Sequence, residues 1–360
     1  MSREAHPRIP LPTPVGRITI NDVARAAGVS VATVSKVTNG RDGVAAATAE
    51  RVMEVVTQLG YETSLVASSL RRSRTNVIGI LLAGFDPFAT ELLKGISAEA
   101  VGKGFELLAY SGAISDDNTV GWERRSLSRL GGTLIDGAIM ITPTITIPVS
   151  SVPVIAVDPH TLSEADLVAD DGAARPVATP TVECDNVEGA RAATKHLIDL
   201  GHTRIAHVRG RDDLESAHLR EEGYREALRD AGIPFDPVLV RDGGYRAAWS
   251  TDAAHALLTM PDRPTAIFAA NDLSAFGVME VAPELGLRIP LDLSVVGFDD
   301  IPEAASVHPR LTTIAQPLQA MGAQAVDMLL AQLQGRPVPD HVQLASHLIV
   351  RETTAPPPGH

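Results

Sequence analysis

Apolar and polar positions alternate in two different ways along this 360-residue chain. In the first 60 residues the apolar positions recur at helical spacing, and the clearest case places four of them at i, i+3, i+4 and i+7: Val52, Val55, Val56 and Leu59. From residue 76 onward, short apolar runs alternate with segments of helical period, a pattern typical of βαβ units. The sequence therefore predicts a small helical head (residues 18–62) and a larger α/β body (residues 76–354).

Capping residues predict where three short helices of the head begin and end. Thr19 with Asp22 forms a capping-box pattern at the start of the first helix, and Gly28 can supply the left-handed residue that ends it. The other two helices have their own candidate boundaries: Ser30 and Asn39-Gly40 around residues 31–37, and Thr48 and Gly60 around the Val52 face. Three short helices with a tight glycine turn are typical of a helix-turn-helix, although a plain three-helix bundle has the same pattern.

The distribution of charge favours DNA binding by the head. The whole chain has a net charge of −13, which alone argues against nucleic-acid binding. Residues 1–75, however, contain 10 Lys and Arg against 6 Asp and Glu, a net charge of +4, so the remainder carries −17. The outer face of the predicted second helix has small polar side chains and one lysine, which would let it lie deep in a major groove: Ala32, Thr33, Ser35 and Lys36.

Composition excludes several classes of protein. An apolar content of 44% and a charged content of 21% are ordinary for a globular chain. No apolar run approaches the roughly 18 residues of a membrane span, and the N-terminal stretch lacks the apolar segment of a secretory signal. The single cysteine, Cys184, rules out a disulfide framework within the chain and fits a reducing compartment. We expect a soluble, cytoplasmic protein.

The body contains seven candidate strands and three clear helical segments. The strands are predicted at residues 77–83, 105–110, 137–141, 152–157, 204–208, 266–270 and 295–298, and the helices at 90–103, 189–200 and 220–231. A body of this length exceeds one comfortable core, so we expect two doubly wound parallel-sheet lobes. Residues 159–180 are expected to form a surface excursion, and residues 1–17 and 355–360 disordered tails.

Polar residues directly after apolar strands are the candidates for a ligand site, because ligands of open α/β sheets bind at the carboxyl ends of the strands. Four such residues and two aromatic residues suited to stacking on a sugar make up the predicted set: Asp158, Asn271, Asp272, Asp299, Phe88 and Tyr245. Carboxylates together with an arginine suit a neutral polyol, while an amino acid, a nucleobase or a phosphorylated sugar stays compatible. Helix capping or ion pairing between lobes is the alternative role for these residues.

Signals of enzyme chemistry are weak in this sequence. The common phosphate-loop, zinc-protease, nucleophile-elbow and dinucleotide motifs do not occur. His196, His202 and His207 lie near one another in sequence but lack cysteine or glutamate partners at zinc spacing. We therefore predict no enzymatic activity, no cofactor and no metal site.

Residues 18–40, ITINDVARAAGVSVATVSKVTNG, closely resemble the N-terminal signature of the lac repressor/galactose repressor family of bacterial transcription regulators. The resemblance continues through the body at residues 198–206, 219–228, 264–272, 293–300 and 309–317. It implies two periplasmic-binding-protein-like lobes joined by three crossovers, with an effector between them. The first lobe would comprise about residues 76–184 and 316–336, and the second about 185–315 and 337–354.

The resemblance also implies roles for matching residues. In the head, Val31, Ala32 and Lys36 would face bases. Four residues would hold the DNA backbone, namely Ser30, Thr33, Ser35 and Asn39, and Thr19 is also expected to bind DNA. In the body, Arg220, which we expect to open a helix, matches the family arginine that reaches the ligand.

The linker, residues 63–75, matches the hinge helix that the family forms on its operator. Leu70 corresponds to the leucine that wedges into the minor groove. Thr63-Ser64 and Ser68 depart from the family's usual Pro-Asn and arginine, and a plain flexible linker is the alternative interpretation.

We predict an effector-controlled transcription regulator, a homodimeric repressor that responds to a sugar and reads a near-palindromic operator. A solute-binding protein of the same lobed fold is the alternative, but it predicts a secretory signal and no basic head. An enzyme on this fold is a third hypothesis.

Overall fold

The computed structural model describes residues 18–38, 41–61, 74–112, 121–145, 150–160 and 179–358. The head and the body form two separate compact units, divided between Ser73 and Arg74. The predictions for the N-terminal tail, for the linker with Leu70, for Asn39-Gly40 and for most of residues 159–180 lie outside the described residues.

The head contains helices α1 (Ile20–Ala27), α2 (Val31–Thr38) and α3 (Ala46–Leu59). The predicted capping box is present, since Oδ2 of Asp22 accepts hydrogen bonds from the backbone N–H of Thr19 at 3.0 Å and from its hydroxyl at 2.7 Å. The predicted end of α1 and the predicted start of α2 are confirmed: Gly28 has a φ of +64°, and Oγ of Ser30 accepts from the N–H of Thr33 at 3.1 Å.

The predicted start of the third helix is wrong. α3 begins at Ala46 after an extended Ala45, and the N–H of Thr48 already donates to the Ala45 carbonyl at 2.9 Å. Consecutive alanines favour the helix strongly enough to start it without a side-chain cap. The predicted apolar face is confirmed, because Val52 is buried in the head core and Val55, Val56 and Leu59 pack around it.

The body contains twelve strands and seven helices among its described residues. The strands are β1 (Val77–Leu82), β2 (Glu106–Ser111), β3 (Gly137–Ile141), β4 (Val154–Val157), β5 (Thr181–Cys184), β6 (Ile205–Arg209), β7 (Val240–Asp242), β8 (Ala266–Ala269), β9 (Ser294–Asp299), β10 (Thr312–Ala315), β11 (His341–Leu344) and β12 (His347–Ile349). The helices are α4 (Pro87–Gly102), α5 (Trp122–Leu130), α6 (Asn186–Asp199), α7 (Glu215–Asp230), α8 (Ala247–Leu258), α9 (Asp272–Glu284) and α10 (Leu318–Leu333).

These strands form two six-stranded sheets, one in each lobe. The first has the order β11-β5-β4-β3-β1-β2 and is parallel in every pair described. The second has the order β12-β10-β9-β8-β6-β7 and is parallel except for the β10–β12 pair. Alternate residues of β1 pack into two different apolar clusters, so both faces of the first sheet are covered, as parallel sheets require.

All seven predicted strands are confirmed within two residues, but five strands were not predicted. β5, β7 and β10 contain polar residues in buried or half-buried positions, and β11 and β12 are short and partly exposed. Hydrophobic periodicity is weak in such edge or polar strands, so backbone pairing determines them instead.

The prediction that Arg220 opens a helix is wrong. α7 begins five residues earlier, at Glu215, and Arg220 lies in its second turn. Backbone hydrogen bonds hold the first turn, because the N–H of Glu215 donates to the carbonyl of Pro159 at 3.2 Å and that of Ala217 donates to Leu214 at 3.1 Å. The sequence pattern that we used for the prediction does not contain the long-range bond from Glu215 to Pro159.

The chain crosses between the lobes three times, after β5, after β10 and after β11. The expectation that residues 337–354 all belong to the second lobe is wrong for β11. This strand pairs in parallel with β5, His341 opposite Thr181 and Leu344 opposite Cys184, and so covers the edge of the first sheet.

The C-terminal tail is ordered through Ala355, contrary to the sequence-based expectation. Its backbone N–H donates to Oγ of Ser294 at 3.0 Å, and its carbonyl accepts from Ser294 and from Nε2 of His202, both at 2.9 Å. These polar partners hold the segment against the second lobe. Among the described residues, no helix combines the length and the apolar character that crossing a membrane requires.

Candidate functional site

The outer face of α2 is the candidate DNA-reading surface of the head. Val34 is fully buried in the head core and fixes which side of α2 faces inward. Val31 and Ala32 are exposed, as is Lys36 one turn later, so these three predicted base-facing residues share the solvent side. Val31 keeps 40% of its surface exposed, which is unusual for a valine in a domain with so small a core.

Residues predicted to contact the DNA backbone flank this surface. Ser30 and Thr33 join through their hydroxyls at 2.9 Å, and Ser35 is half-buried on α2. The hydroxyl of Thr19, at the start of α1, donates a hydrogen bond to Asp22, and the hydrogen bonds from Thr19 lower the pKa of the Asp22 carboxyl. The structure thus places Thr19 at the beginning of α1 and Ser30 and Thr33 at the beginning of α2, where the helix N-terminus favours phosphate, and Ser35 in the second turn of α2.

A cleft of about 660 Å³ separates the two lobes of the body. Six of the seven predicted effector residues line it: Phe88, Asp158, Arg220, Tyr245, Asn271 and Asp299. Phe88 and Asp158 come from the first lobe and the other four from the second. The carboxyl ends of β4 and β9, and the loop that follows β8, deliver three of them to the same gap.

Arg220 is the central cation of the cleft and is 3% exposed. Its Nε donates to Oδ1 of Asn186 at 2.9 Å, and one terminal nitrogen donates to the carbonyl of Ala270 at 2.5 Å. The same nitrogen lies 3.5 Å from Oδ1 of Asp299, and the guanidinium stacks 3.8 Å from the centre of the Phe298 ring. Burial acts to lower the pKa of Arg220, but the surrounding acidic groups outweigh it, so the pKa is raised and the charge is retained.

Asp299 faces Arg220 and is 4% exposed. Its Oδ1 accepts a hydrogen bond from Nε2 of Gln316 at 2.7 Å, a residue of the second crossover. Burial raises the pKa of Asp299 to about 7, against the opposing effects of Arg220 and of the Gln316 hydrogen bond. The carboxyl is therefore held in place by protein partners while its environment is low in dielectric.

Asp158 connects the cleft wall of the first lobe to the second lobe. It accepts a hydrogen bond from Ser216 on α7, and the Ser216 hydroxyl lies 3.0 Å from the hydroxyl of Tyr245. Burial raises the pKa of Asp158, although Arg220 acts in the opposite direction. Asp158, Ser216 and Tyr245 thus form a chain of hydrogen-bonding groups, and the ring of Tyr245 lies 5.5 Å from the Arg220 guanidinium.

Backbone strain is concentrated around the cleft. Six non-glycine residues of the described chain have positive φ angles, and four of these line the cleft: Thr142 (φ 46°), Asp158 (55°), Tyr245 (59°) and Asp299 (117°). Such conformations cost free energy and persist where the surrounding structure enforces them, commonly at functional sites. The strain aims these side chains at the gap between the lobes.

Asp272 does not line the cleft, unlike the other predicted effector residues. Its side chain is fully buried, and it accepts hydrogen bonds from the Thr313 hydroxyl at 2.5 Å and from the N–H of Ile301 at 2.9 Å. Burial raises the pKa of this carboxyl well above its usual range, and the charge of Asp299 adds to the rise. The neighbouring Asn271 caps α9 by accepting from the N–H of Ser274 at 2.9 Å, while it also reaches the cleft.

Several lining residues were not predicted, although some had a visible signal. Thr142 directly follows β3, as Asp158 follows β4, so the rule applied to the other strands would have identified it. Arg211 and Leu214, in the loop between β6 and α7, had no signal because their positions depend on how that loop packs. Arg211 is paired with Asp213, its Nε lying 3.0 Å from Oδ1. Among the described residues, no three His, Cys, Asp or Glu side chains are arranged to hold a metal ion.

Comparison with known proteins connects both sites to one family. A family model described as bacterial regulatory proteins, lacI family, matches residues 19–64, and one described as a periplasmic binding protein-like domain matches residues 194–354. The HTH-type transcriptional repressor PurR of Vibrio vulnificus (strain CMCP6) is 34% identical over 346 residues, covering 93% of this chain and 98% of that protein. The HTH-type transcriptional repressor CytR of Escherichia coli (strain K12) is 32% identical, covering 93% and 96%.

Solved structures agree with these sequence relatives. The lac repressor dimer bound to operator and the anti-inducer ONPF has a TM-score of 0.76 at 29% identity, covering 94% of this chain and 99% of that one. The transcriptional regulator CelR in complex with cellobiose has a TM-score of 0.66 at 29% identity, covering 94% and 100%. The match spans nearly the whole length of these sequence relatives, which are transcriptional repressors, and this argues against a solute-binding protein without a regulatory role. The chain belongs to the lacI family of bacterial regulatory proteins and is a DNA-binding transcriptional regulator.

Proposed function

We propose that this regulator is a homodimeric repressor whose operator affinity is controlled by a sugar bound in the cleft between the lobes. The observation that carries the proposal is that six of the seven residues predicted from the sequence line one cleft in a chain with a helix-turn-helix head. Two related structures support it, because one contains cellobiose and another is a dimer on its operator with the ligand ONPF.

The polar groups of the cleft suit a molecule with several hydroxyls. Arg220, which lines the cleft, is a hydrogen-bond donor, and the carboxylates of Asp158 and Asp299 are acceptors. A hydroxyl both donates and accepts, so adjacent hydroxyls can satisfy both kinds of partner at once. Phe88 and Tyr245 add apolar faces for the C–H side of a sugar ring.

For the head, we propose that Val31, Ala32 and Lys36 contact bases, and that Thr19, Ser30, Thr33 and Ser35 position the helix on the backbone. The shared exposed side of α2 supports this assignment. A two-fold dimer presents two such helices, so the operator is expected to be a near-palindrome with two half-sites.

Operator binding can be tested by selecting sequences from a random DNA library with the full-length protein. We expect a near-palindromic motif whose affinity falls steeply with salt, because each phosphate contact releases counterions. Lys36→Ala should weaken binding of the selected operator, whereas Arg51→Ala, an exposed arginine on α3, serves as the matched control. Equal effects of the two substitutions would show that α2 is not the reading helix.

The class of effector can be tested by a thermal-shift screen with the full-length protein. The panel should contain monosaccharides and disaccharides, including ribose and cellobiose, with amino acids, nucleobases and sugar phosphates as the competing classes. A ligand that binds only the folded state raises the melting temperature by mass action. Stabilisation by a nucleobase or an amino acid and by no sugar would overturn the sugar assignment while leaving the regulator intact.

A further inference from the structure

A pair of backbone segments joins the lobes beside the cleft, and we name residues 158–160 of the first lobe and 214–216 of the second the lobe junction. The segments form an isolated antiparallel bridge between His160 and Leu214. The backbone N–H of Glu215 also donates to the carbonyl of Pro159 at 3.2 Å. These bonds must break if the lobes separate, so the junction reports on closure of the cleft.

Glu183 is a buried acid of β5 next to this junction. Its side chain is buried, with 7% of the residue exposed, and its neighbours Val182 and Cys184 belong to the apolar core. Its Oε1 lies 3.3 Å from Nε2 of His341 on β11, and its Oε2 has no hydrogen-bond partner among the described residues. A buried carboxylate with one unpartnered oxygen is costly in its ionised form.

The charged groups that the described residues place around Glu183 come from several elements, and most are negative. They are Asp158 after β4, Asp185 after β5, Glu215 and Arg220 on α7, and His341 on β11. Helix α10 also packs on β5, but its charged residue, Asp327, is paired with Lys103. Within the described part of the chain, Arg220 and, when protonated, His341 therefore oppose three acidic neighbours.

Burial raises the pKa of Glu183 to about 7, and the charges of Asp158 and Glu215 add to the rise. The carboxyl thus changes between neutral and ionised near neutral pH. Glu183 belongs to the first lobe and Glu215 to the second. Ionisation of Glu183 therefore adds repulsion from Glu215 across the junction, and this repulsion exceeds the attraction to Arg220 on the same helix.

We propose that Glu183 is a proton-controlled switch of the lobe junction. When its carboxyl is neutral, the bridge between the two segments is retained; when it is ionised, repulsion from Glu215 favours separation of the lobes. Closure of the cleft is therefore favoured on the acidic side of neutrality and opposed on the alkaline side. This switch goes beyond the proposed control by an effector, because it needs neither effector nor DNA.

Amide hydrogen exchange of the full-length protein, without effector or DNA, tests the proposal. The reporter is the Glu215 amide, and each rate is divided by its intrinsic exchange rate at the same pH. Between about pH 6 and about pH 8 we expect protection to fall roughly three- to tenfold, since the release of one proton permits at most about tenfold per pH unit. Unchanged protection at Glu215 would overturn the proposal.

The variant Glu183→Gln keeps the shape of the side chain and removes its titration. It should hold the Glu215 amide equally protected at both pH values, whereas the matched control Glu188→Gln, on the exposed side of α6, should behave like the parent. A Glu183→Gln protein that loses protection between the two pH values as the parent does would show that another group is responsible.

Carbon-13 titration of the glutamate carboxyls in the parent protein keeps the proposal testable if Glu183→Gln fails to fold. One resonance should titrate near pH 7, far above the ordinary glutamate midpoint. Its midpoint should coincide with the change in Glu215 exchange. If all glutamate carboxyls titrate in the ordinary range, the switch does not exist, whatever the effector or the operator proves to be.

Discussion

At the scale of single residues, position in the cleft and hydrogen-bond partners, rather than burial, distinguish an aspartate that could hold a ligand from one that stabilises the fold. Asp299 and Asp272 both follow or end apolar strands, and both are at least 96% buried. Asp299 lines the cleft, whereas Asp272 uses its oxygens on Thr313 and Ile301. Selecting polar residues at the ends of apolar strands therefore identified one candidate ligand residue, Asp299, and one residue that stabilises the fold, Asp272.

We predict that Asp299→Asn weakens binding of the effector about ten- to a hundredfold, the equivalent of roughly 1.5–3 kcal/mol for a charge-assisted hydrogen bond. The asparagine can keep Oδ1 as the acceptor for Gln316, so the local shape is preserved. Asp300→Asn is the matched control, because Asp300 pairs with Arg351 and does not line the cleft. Calorimetry with the sugar found in the thermal-shift screen measures both variants, and unchanged affinity in Asp299→Asn contradicts the assignment.

For Asp272 we predict the opposite outcome, a loss of stability without a direct loss of affinity. In Asp272→Asn the new amide nitrogen faces either the N–H of Ile301 or the hydroxyl of Thr313, so one buried donor loses its acceptor. The free energy of unfolding should fall by about 1–3 kcal/mol. Urea unfolding at neutral pH measures the change in stability. A tenfold loss of effector affinity with unchanged stability would show that Asp272 takes part in effector binding.

At the scale of elements, the sequence predicted best those segments whose structure depends on local signals. The α1 capping box and the glycine ends of α1 and α3 depend on neighbouring residues, and all three are confirmed. β11 and the first turn of α7 depend on backbone partners more than a hundred and more than fifty residues away, respectively. Patterns along the chain do not contain such partners, so these elements were missed or misplaced.

Strand β6 provides a prediction about pH and stability. His207 is fully buried between the rings of Tyr224 and Phe268, whose centres lie 5.3 and 4.9 Å away, and burial lowers the pKa of His207 from 6.5 to about 4. Between these values the unfolded chain binds a proton that the folded chain does not. The free energy of unfolding therefore falls as pH decreases through this window, by about 3 kcal/mol in total.

We expect His207→Phe to flatten this part of the pH profile, because phenylalanine cannot bind the proton. The variant also loses the hydrogen bond of Nδ1 with the Phe268 carbonyl, so it should be less stable than the parent at neutral pH. Urea unfolding from about pH 7 to about pH 4 measures both effects. His255→Gln, a partly exposed histidine of α8, should retain the steep profile of the parent; a flattened profile there would mean that His207 is not the group responsible.

At the scale of the whole molecule, opposite charges separate the two tasks of the chain. Residues 1–75 carry +4 and the remainder carries −17. An acidic body repels DNA and leaves the contact to the basic head, while its cleft presents polar groups that the protein already holds in place for the proposed effector. The proposed DNA surface and the proposed effector site lie in different units of the chain. Binding at one site can therefore change affinity at the other only by shifting the equilibrium between conformations.

Such an influence must be reciprocal, and this gives a quantitative prediction. If saturation with the effector weakens operator binding of a dimer by a given factor, saturation with operator must weaken effector binding by the same factor, taken as the product over the two clefts. A total factor of about a hundred, for example, corresponds to about tenfold weaker binding at each cleft, or about 1.4 kcal/mol per site. Effector titrations of the full-length protein with and without saturating operator measure this change directly.

In Asp299→Asn, operator affinity without effector should equal that of the parent, since the substitution lies in the body. The same operator affinity should be reached at saturation, but at a correspondingly higher effector concentration. If saturating operator leaves the effector affinity unchanged, the two sites are not coupled, and the proposed control of the head by the cleft is wrong.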